Sequence, residues 1–124
     1  MALSEIARLL ETISGSGQGS FLAVLKTFGA HAPEGLLSFP MAGTTLALDF
    51  PNRGASTLAL LERLDAITAE AGGRVYPAKD GRMSAAHFRQ FFPGWSELER
   101  QRDPAFSSGF WQRVTGQPFG EHQP

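Results

Sequence analysis

The sequence predicts an α+β fold, in which a small, mainly antiparallel sheet packs on helices and short aromatic-rich helices follow. Two observations carry this prediction. Helix-like and strand-like patterns follow one another over the first 78 residues, in the order helix, strand, loop, strand, helix, strand. Beyond that point the composition changes, because eight of the 32 residues from Phe88 to Phe119 are Phe or Trp.

The first three elements are indicated by the spacing of apolar residues. A helix is predicted to end at the glycine-rich stretch 15–19, and its apolar positions are Leu3, Ile6, Ala7, Leu10 and Ile13. The run 21–28 contains aromatic and β-branched residues, which favours a strand buried on both faces. After a long connection, residues 44–50 are predicted to form the second strand.

The strongest helical pattern follows, with Ser56 as the expected N-cap and the Gly72–Gly73 pair as a left-handed C-cap. Its predicted buried stripe consists of Leu60, Leu64, Ile67 and Ala71. A third short strand over residues 74–78 is then expected to lead into the polar stretch Lys79–Arg82.

Three helix-start signals lie in the last part of the chain. They are Ser84, the capping box of Ser96 with Glu99, and the pair Asp103–Pro104. Short helices with so many large aromatics are not expected to bury them against one another. We therefore expect these rings to pack on a surface outside this chain, and the alternative is that they fold back on the sheet.

Composition excludes several classes of function. The chain has 124 residues, 42% of them hydrophobic, and a formal net charge of −1, which fits one soluble domain without a basic surface for nucleic acid. No apolar run approaches the roughly 20 residues of a membrane span, and residues 1–14 do not resemble a signal peptide. The sequence contains no cysteine and its three histidines are scattered, so a cytoplasmic location without a metal site is expected.

Six short motifs in collinear order, spread over residues 20–114, resemble the C-terminal end of FAD-linked oxidases of the vanillyl-alcohol-oxidase superfamily. The resemblance is greatest to the branch that contains aldonolactone and alditol oxidases and decaprenylphosphoryl-ribose oxidases. The motifs are LKTFG (25–29), LSFP (37–40), GTTLALDFP (43–51), GRVYPAKDGRM (73–83), FFP (91–93) and RDP (102–104).

The resemblance implies a division of the chain into three parts. Residues 1–75 would be the last part of a substrate-binding cap domain, residues 76–115 would return to an FAD-binding domain, and residues 116–124 would be a flexible tail. No glycine-rich phosphate loop follows a strand in this sequence. The FAD-binding half is therefore expected as a missing partner, in cis or as a separate chain, and this chain alone is not expected to retain FAD.

The resemblance also assigns Lys79 and Tyr76 to the cofactor. Lys79 is similar to the lysine of the family's YxxK pattern, which stands at the flavin edge near N1 and the C2 carbonyl. A fixed cation there stabilises the negative charge of the reduced flavin, so Lys79 is the expected catalytic residue. Tyr76 is expected to contact the flavin and the substrate. The alternative for Lys79 is a solvated loop lysine beside Asp80.

Lys26 and Thr45 complete the expected substrate site. By resemblance Lys26 faces the substrate cavity, whereas the alternative is a lysine that extends to water from a strand end. Thr45 stands where the ribose-oxidising branch has asparagine. This difference argues against assigning the substrate specificity of that branch to this chain. Arg82 and Asp80 are expected to brace the turn after Lys79, and His87 is expected at the surface or in packing.

The resulting hypothesis is the C-terminal portion of an FAD-dependent oxidoreductase that oxidises a CH–OH group of a sugar-like or polyol substrate and is inactive alone. One alternative is a non-catalytic α+β module that forms homo-oligomers through exposed aromatic residues. The residues expected at that surface are Phe88, Phe92, Trp95 and Trp111. The other is one chain of a two-chain flavoenzyme.

Overall fold

The computed structural model describes residues 1–78 and 81–116, and it confirms the α+β class. In these ranges the elements are α1 (Leu3–Gly15), β1 (Leu22–Phe28), β2 (Gly43–Asp49), α2 (Ala55–Glu70), α3 (Ala85–Phe91), α4 (Trp95–Gln101) and α5 (Gly109–Thr115). No helix in the described ranges has the length and apolar character needed to cross a membrane. Residues 117–124 of the predicted tail lie outside the described part.

The two strands form an antiparallel pair whose register runs from Leu22 opposite Asp49 to Phe28 opposite Gly43. The outer edge of β2 carries a short extra pairing with the N-terminal segment. The backbone amide of Thr44 donates to the carbonyl of Met1 at 2.8 Å, and the Met1 amine donates to the Thr44 carbonyl at 3.2 Å.

The predicted third strand is wrong: residues 74–78 form neither strand nor helix. This segment is held by side-chain contacts and not by the backbone hydrogen bonds of a β-sheet. Arg74 donates to the carbonyl of Ser38 at 2.7 Å, and Val75 packs partly buried on an aromatic cluster. Pro77 lacks an amide proton, so it could not have donated to a neighbouring strand.

Helices α1 and α2 pack together around one apolar cluster, made by Ile6, Leu9, Ile13, Leu60, Leu64 and Ile67. The stripe predicted on α2 is confirmed except at Ala71, which is half-buried at the helix end. On α1 the buried face is rotated, since Leu9 is buried while Leu3 and Leu10 are exposed. Leu46 and Leu48 of β2 pack against this cluster.

The prediction that strand 21–28 is buried on both faces is wrong. The segment does form β1, but six of its seven residues are exposed. The cause is the position of the helices, which pack against β2 and leave β1 uncovered.

The aromatic helices bury their rings against one another, so the expected exposure of these rings is wrong, whereas Phe106, in the connection between α4 and α5, is 75% exposed. Phe88, Phe91 and Phe92 are at most 2% exposed, and Trp111 is 8% exposed. Met83 and Val114, both fully buried, belong to the same cluster. The Phe88 ring meets those of Phe110 and Trp111 edge-on, with centroids 5.5 and 6.0 Å apart.

Trp95, the fourth ring of the proposed oligomer surface, is half-buried against the same cluster. The guanidinium of Arg89 lies over it, 4.9 Å from the ring centroid. The four rings therefore offer no continuous exposed patch for self-association.

Two of the predicted helix ends are confirmed. The side chain of Ser84 accepts a hydrogen bond from the amide of His87 at 3.1 Å and so caps α3. Gly72 adopts a left-handed conformation with φ +69° just beyond α2. Such a conformation is costly for any residue with a Cβ, which is why glycine ends the helix here.

The other predicted helix starts are wrong, and they differ from the observed starts by one to several residues. Helix α2 begins at Ala55 after Gly54, ahead of Ser56, and α4 begins at Trp95, ahead of Ser96. The carboxylate of Asp103 accepts from the amide of Ala105 in a turn, at 2.9 Å. Helix α5 begins only at Gly109, where Ser108 accepts from the amide of Trp111.

Candidate functional site

A cavity of about 680 Å³ lies between the β1–β2 hairpin, the apolar faces of α1 and α2, and residues 73–76. Three of the four residues assigned to the site from sequence line it: Lys26, Thr45 and Tyr76. They come from β1, β2 and the connection after α2, so only the folded chain brings them to one cavity.

Lys26 and Thr45 are directly opposite each other in the antiparallel ladder. Directly opposed residues project from the same face of a sheet with their Cβ atoms about 5 Å apart. The ammonium group of Lys26 lies 5.8 Å from the ring centroid of Phe28, its neighbour on the same face. Among the described residues Lys26 forms no ion pair, so its charge remains available to a ligand.

Tyr76 enters the cavity from the side of the connection after α2. Its ring meets that of Phe39 edge-on, with centroids 5.4 Å apart, and the residue is 55% exposed. Ring packing thus fixes the side chain while much of it stays open to a ligand. Within the part of the chain that the structure describes, no hydrogen bond engages its hydroxyl.

Lys79, the residue assigned to catalysis, lies outside the described residues together with Asp80. The chain is anchored on both sides of this pair. Before it, Arg74 binds the Ser38 carbonyl. After it, Arg82 binds α2, and the next residue, Met83, is fully buried in the aromatic cluster.

The anchor on α2 is a buried ion pair that the sequence analysis missed. Nη1 and Nη2 of Arg82 donate to the two carboxylate oxygens of Asp65 at 2.7 and 3.0 Å. The side chain of Asp65 is 4% exposed and that of Arg82 is 25% exposed. Arg82 thus anchors the segment on α2 through Asp65. The predicted bracing of the turn by Arg82 together with Asp80 stays a prediction, because Asp80 lies outside the described residues.

A signal for Asp65 was present in the sequence. Asp65 is four residues after Leu61 and three before Thr68, so it lies on the face of α2 that Leu64 buries. A carboxylate on the apolar face of a helix requires a partner, because burial of an unpaired charge is expensive. The partner itself was not identifiable from spacing, since Arg82 lies on a different element.

His87 does not line the cavity. Its ring stacks on that of Phe91 with centroids 5.7 Å apart, which agrees with the packing role expected for it. The described residues contain no cluster of three or more His, Asp or Glu side chains suited to a metal ion.

The cavity combines largely apolar walls with several polar groups: the ammonium group of Lys26, the guanidinium groups of Arg74 and Arg82, the carboxylates of Asp49 and Asp65, and the hydroxyl groups of threonines and Tyr76. Amine and hydroxyl protons donate hydrogen bonds to oxygen atoms, and a cation in partly apolar surroundings attracts negative charge more strongly than one in water. The arrangement suits an oxygen-rich ligand that also has an apolar part.

Comparison with known proteins confirms the resemblance indicated by the six motifs, because the chain is similar to a segment of an FAD-linked oxidase. It is 37% identical over 120 residues to the decaprenylphosphoryl-beta-D-ribose oxidase of Mycolicibacterium smegmatis, a match covering 91% of this chain and 25% of that oxidase.

A second relative is the "uncharacterized protein in mprA 5′ region" of Streptomyces coelicolor, which is 34% identical over 114 residues. This match covers 88% of the chain and 31% of the relative. The chain therefore spans between a quarter and a third of the length of these curated relatives. No family model matches it.

Proposed function

We propose that this chain is part of an FAD-dependent oxidoreductase that oxidises a CH–OH group of a sugar-like or polyol substrate. In this proposal the chain supplies walls of the substrate cavity and the lysine at the flavin edge. The observation that carries it is the convergence of Lys26, Thr45 and Tyr76 on one cavity in a chain related to an oxidase.

The chemistry of the cavity supports a substrate with several hydroxyl groups. Lys26 would bind an oxygen-rich or anionic portion, and the hydroxyl groups of Thr45 and Tyr76 would orient the sugar-like portion by hydrogen bonds. The Mycolicibacterium relative acts, by its name, on a ribose carried by a decaprenylphosphoryl group. Thr45 marks a difference from the asparagine of the ribose-oxidising branch, so we propose the class of substrate and not that ribose compound.

The donors in the cavity would bind one edge of a flavin, where ring carbonyls accept hydrogen bonds. Tyr76 would contact that edge, and Lys79 would place its cation near N1 and the C2 carbonyl. When bound, FAD supplies the electron acceptor for the CH–OH group. The chain's own contributions are to bind and orient the substrate, to exclude water with the apolar walls, and to hold a positive charge beside the flavin.

Because this chain matches only a quarter to a third of each relative, we propose that another polypeptide segment forms the rest of the cofactor site. We propose this FAD-binding portion either in cis or as the other chain of a two-chain flavoenzyme. Its presence can be tested by co-expressing this chain with the Mycolicibacterium oxidase from which the matching quarter has been deleted; we call the product the complemented oxidase.

The complemented oxidase should retain flavin. Under anaerobic conditions this flavin should be reduced when decaprenylphosphoryl-ribose or a simple polyol such as xylitol is added. Reduction is followed by loss of the visible flavin absorbance. An assembled complex that contains flavin and is reduced by neither class of substrate would overturn the proposed oxidase function.

We expect the 124-residue chain alone not to retain FAD, because no glycine-rich phosphate-binding loop follows a strand in its sequence. The purified chain is mixed with FAD and desalted, and its visible spectrum is recorded. A flavin band in stoichiometric amount after desalting would contradict this expectation.

Replacing Lys26 with methionine should weaken substrate binding more than the chemical step. A hydrogen bond to a charged group contributes roughly 1.5–3 kcal/mol, so KM should rise about tenfold or more while kcat changes little. Steady-state kinetics of the complemented oxidase measure both constants, and Lys26→Arg is the charge-retaining control. A fall in kcat at unchanged KM would assign Lys26 to the chemical step instead.

A further inference from the structure

The LSFP motif (37–40) lies near the end of the connection between β1 and β2. Leu37 and Phe39 leave the sheet and pack, partly buried, on the aromatic cluster. The connection also passes close to the start of α4, because a Cβ on Gly94 would lie only 2.6 Å from the carbonyl oxygen of Leu36. Glycine permits this approach, so the motif has a defined position between the sheet and the aromatic helices.

Arg74 joins the same connection to the segment that carries Tyr76. Its Nη1 donates to the carbonyl of Ser38 at 2.7 Å, and its guanidinium lies over the ring of Phe92, 5.8 Å from the centroid. Phe92 is 1% exposed and belongs to the aromatic cluster. Hydrogen bonds from a charged donor are stronger than those between neutral groups. Arg74 therefore fixes the LSFP motif against the chain two residues before Tyr76.

Phe39 is the residue through which this anchoring reaches Tyr76. The two rings line the cavity and meet at an angle of 70° with centroids 5.4 Å apart, which is the edge-on arrangement that aromatic pairs prefer. Residues 74–78 form neither strand nor helix, so a sheet does not restrain the tyrosine. Among the described residues the Tyr76 side chain has no other ring contact and no hydrogen bond. The position of its hydroxyl group in the cavity therefore depends on Phe39.

We propose that Phe39 is a positioning residue for the oxidase site, because it holds the Tyr76 ring where the hydroxyl group donates to the edge of the flavin. This inference rests on the proposed function. Hydrogen bonds weaken steeply when they are bent, so a donor stabilises the negative charge of reduced flavin only while it is correctly oriented. Without the Phe39 ring, the Tyr76 side chain is free to rotate out of that orientation.

The contact between the two rings is tested in the 124-residue chain without FAD. Tyr76 is its only tyrosine, so isotope-labelled tyrosine gives ring NMR signals from this residue alone. In the wild type these signals should be shifted by the Phe39 ring and show a nuclear Overhauser effect to it. In Phe39→Leu they should move toward those of an unstructured tyrosine. Wild-type signals already at the unstructured values would overturn the proposal.

The control is Leu37→Val, because Leu37 packs on the same cluster and does not line the cavity. This variant perturbs the packing of the LSFP motif but leaves the Phe39 ring in place. The Tyr76 signals should therefore stay close to those of the wild type. Melting curves of both variants verify that the chain still folds.

The role at the flavin is tested by a double-mutant cycle in the complemented oxidase. The quantity measured is the midpoint reduction potential of the bound flavin, which requires no substrate. Tyr76→Phe keeps the ring and removes the hydroxyl group, so it should lower the potential because the reduced flavin loses a donor. Phe39→Leu should also lower the potential, but it should have no further effect in the Tyr76→Phe background. Phe39→Tyr retains an aromatic ring and should keep more of the wild-type potential than Phe39→Leu does.

Reduction of the flavin by substrate supplies a further readout. Phe39→Leu should slow it about threefold to tenfold, the scale of one aromatic ring contact, with a smaller change in KM. Equal effects of Phe39→Leu in the wild-type and Tyr76→Phe backgrounds would show that Phe39 acts through general packing, and would overturn the proposal. A potential that Phe39→Leu leaves unchanged would overturn it as well.

Failure of this inference is distinguishable from failure of the proposed function. If the potentials show the coupling but neither decaprenylphosphoryl-ribose nor xylitol reduces the flavin, the positioning role stands and the oxidase function fails. If substrate reduces the flavin while the effects of Phe39→Leu and Tyr76→Phe simply add, the function stands and the positioning role fails.

Discussion

Replacement of Asp65 by asparagine should lower the free energy of unfolding by about 3 kcal/mol, the scale found when one partner of a buried ion pair is removed. The carboxylate of Asp65 is almost fully buried and both of its oxygens accept from Arg82. Asparagine offers one acceptor and no charge, so the guanidinium would lose the carboxylate that it binds through two hydrogen bonds on α2. The partial exposure of Arg82 recovers some hydration, so we do not expect a larger loss.

Chemical denaturation of the chain, followed by circular dichroism, measures this loss. The matched control is Glu62→Gln, which removes a carboxylate from an exposed position of the same helix and should change stability little. A second variant, Asp65→Leu combined with Arg82→Met, should be more stable than Asp65→Asn because no charge is left buried. If Asp65→Asn and Glu62→Gln had the same small effect, the ion pair would not be an anchor.

Replacement of Lys79 by methionine should slow flavin reduction in the complemented oxidase by roughly 10²-fold or more, the scale of losing one preorganised electrostatic donor. Methionine keeps the approximate length of the side chain and removes its charge. In our proposal the cation stabilises negative charge that develops on the flavin only as it is reduced. Substrate affinity should therefore change much less than the reduction rate.

The rate of reduction is measured by stopped-flow absorbance, and a melting curve is recorded on the same preparation. Lys79→Arg retains a positive charge and should keep more of the rate than methionine does. Arg63→Met, which removes an exposed cation from α2, controls for the change in net charge. An unchanged reduction rate with a large drop in Tm would make Lys79 a structural residue and would remove the main site assignment.

These two predictions concern Arg82, through its partner Asp65, and Lys79, which lies three residues before Arg82. They depend on different forces. Arg82 is held by a partner on α2, so its pair with Asp65 contributes to stability of this chain alone. Lys79 is assigned to a charge that exists only when flavin is present and reduced. Stability should thus respond to Asp65 and catalysis to Lys79, and measuring both quantities for both variants separates folding from chemistry.

The secondary structure that local signals specify was predictable from the sequence. Helix α1 ends at Gly15 as expected, and β1 and β2 lie within a residue of their predicted bounds. Periodicity and helix-ending glycines act over a few residues, so they need no knowledge of distant parts of the chain. Helix starts were less predictable, because Ser96 and Asp103 each resemble caps but lie within a helix and a turn.

The relationship to an oxidase was also visible in the sequence, because the six motifs are short and collinear. The geometry of the site was not. Lys26 and Thr45 were chosen separately, and only the register of β1 on β2 places them opposite each other. Asp65 was missed because its partner is 17 residues away on another element, and no spacing rule connects the two.

The sequence by itself thus determined the fold class, the main helices and strands, and the similarity to an oxidase, since each is encoded in local pattern or identity. Only the tertiary structure decided which surfaces are buried. Burial depends on the position of every neighbouring element: α3 and α5 close over the aromatic rings that composition suggested were exposed. The same dependence leaves β1 open, because α1 and α2 pack against β2 and do not reach the strand whose sequence is the more apolar.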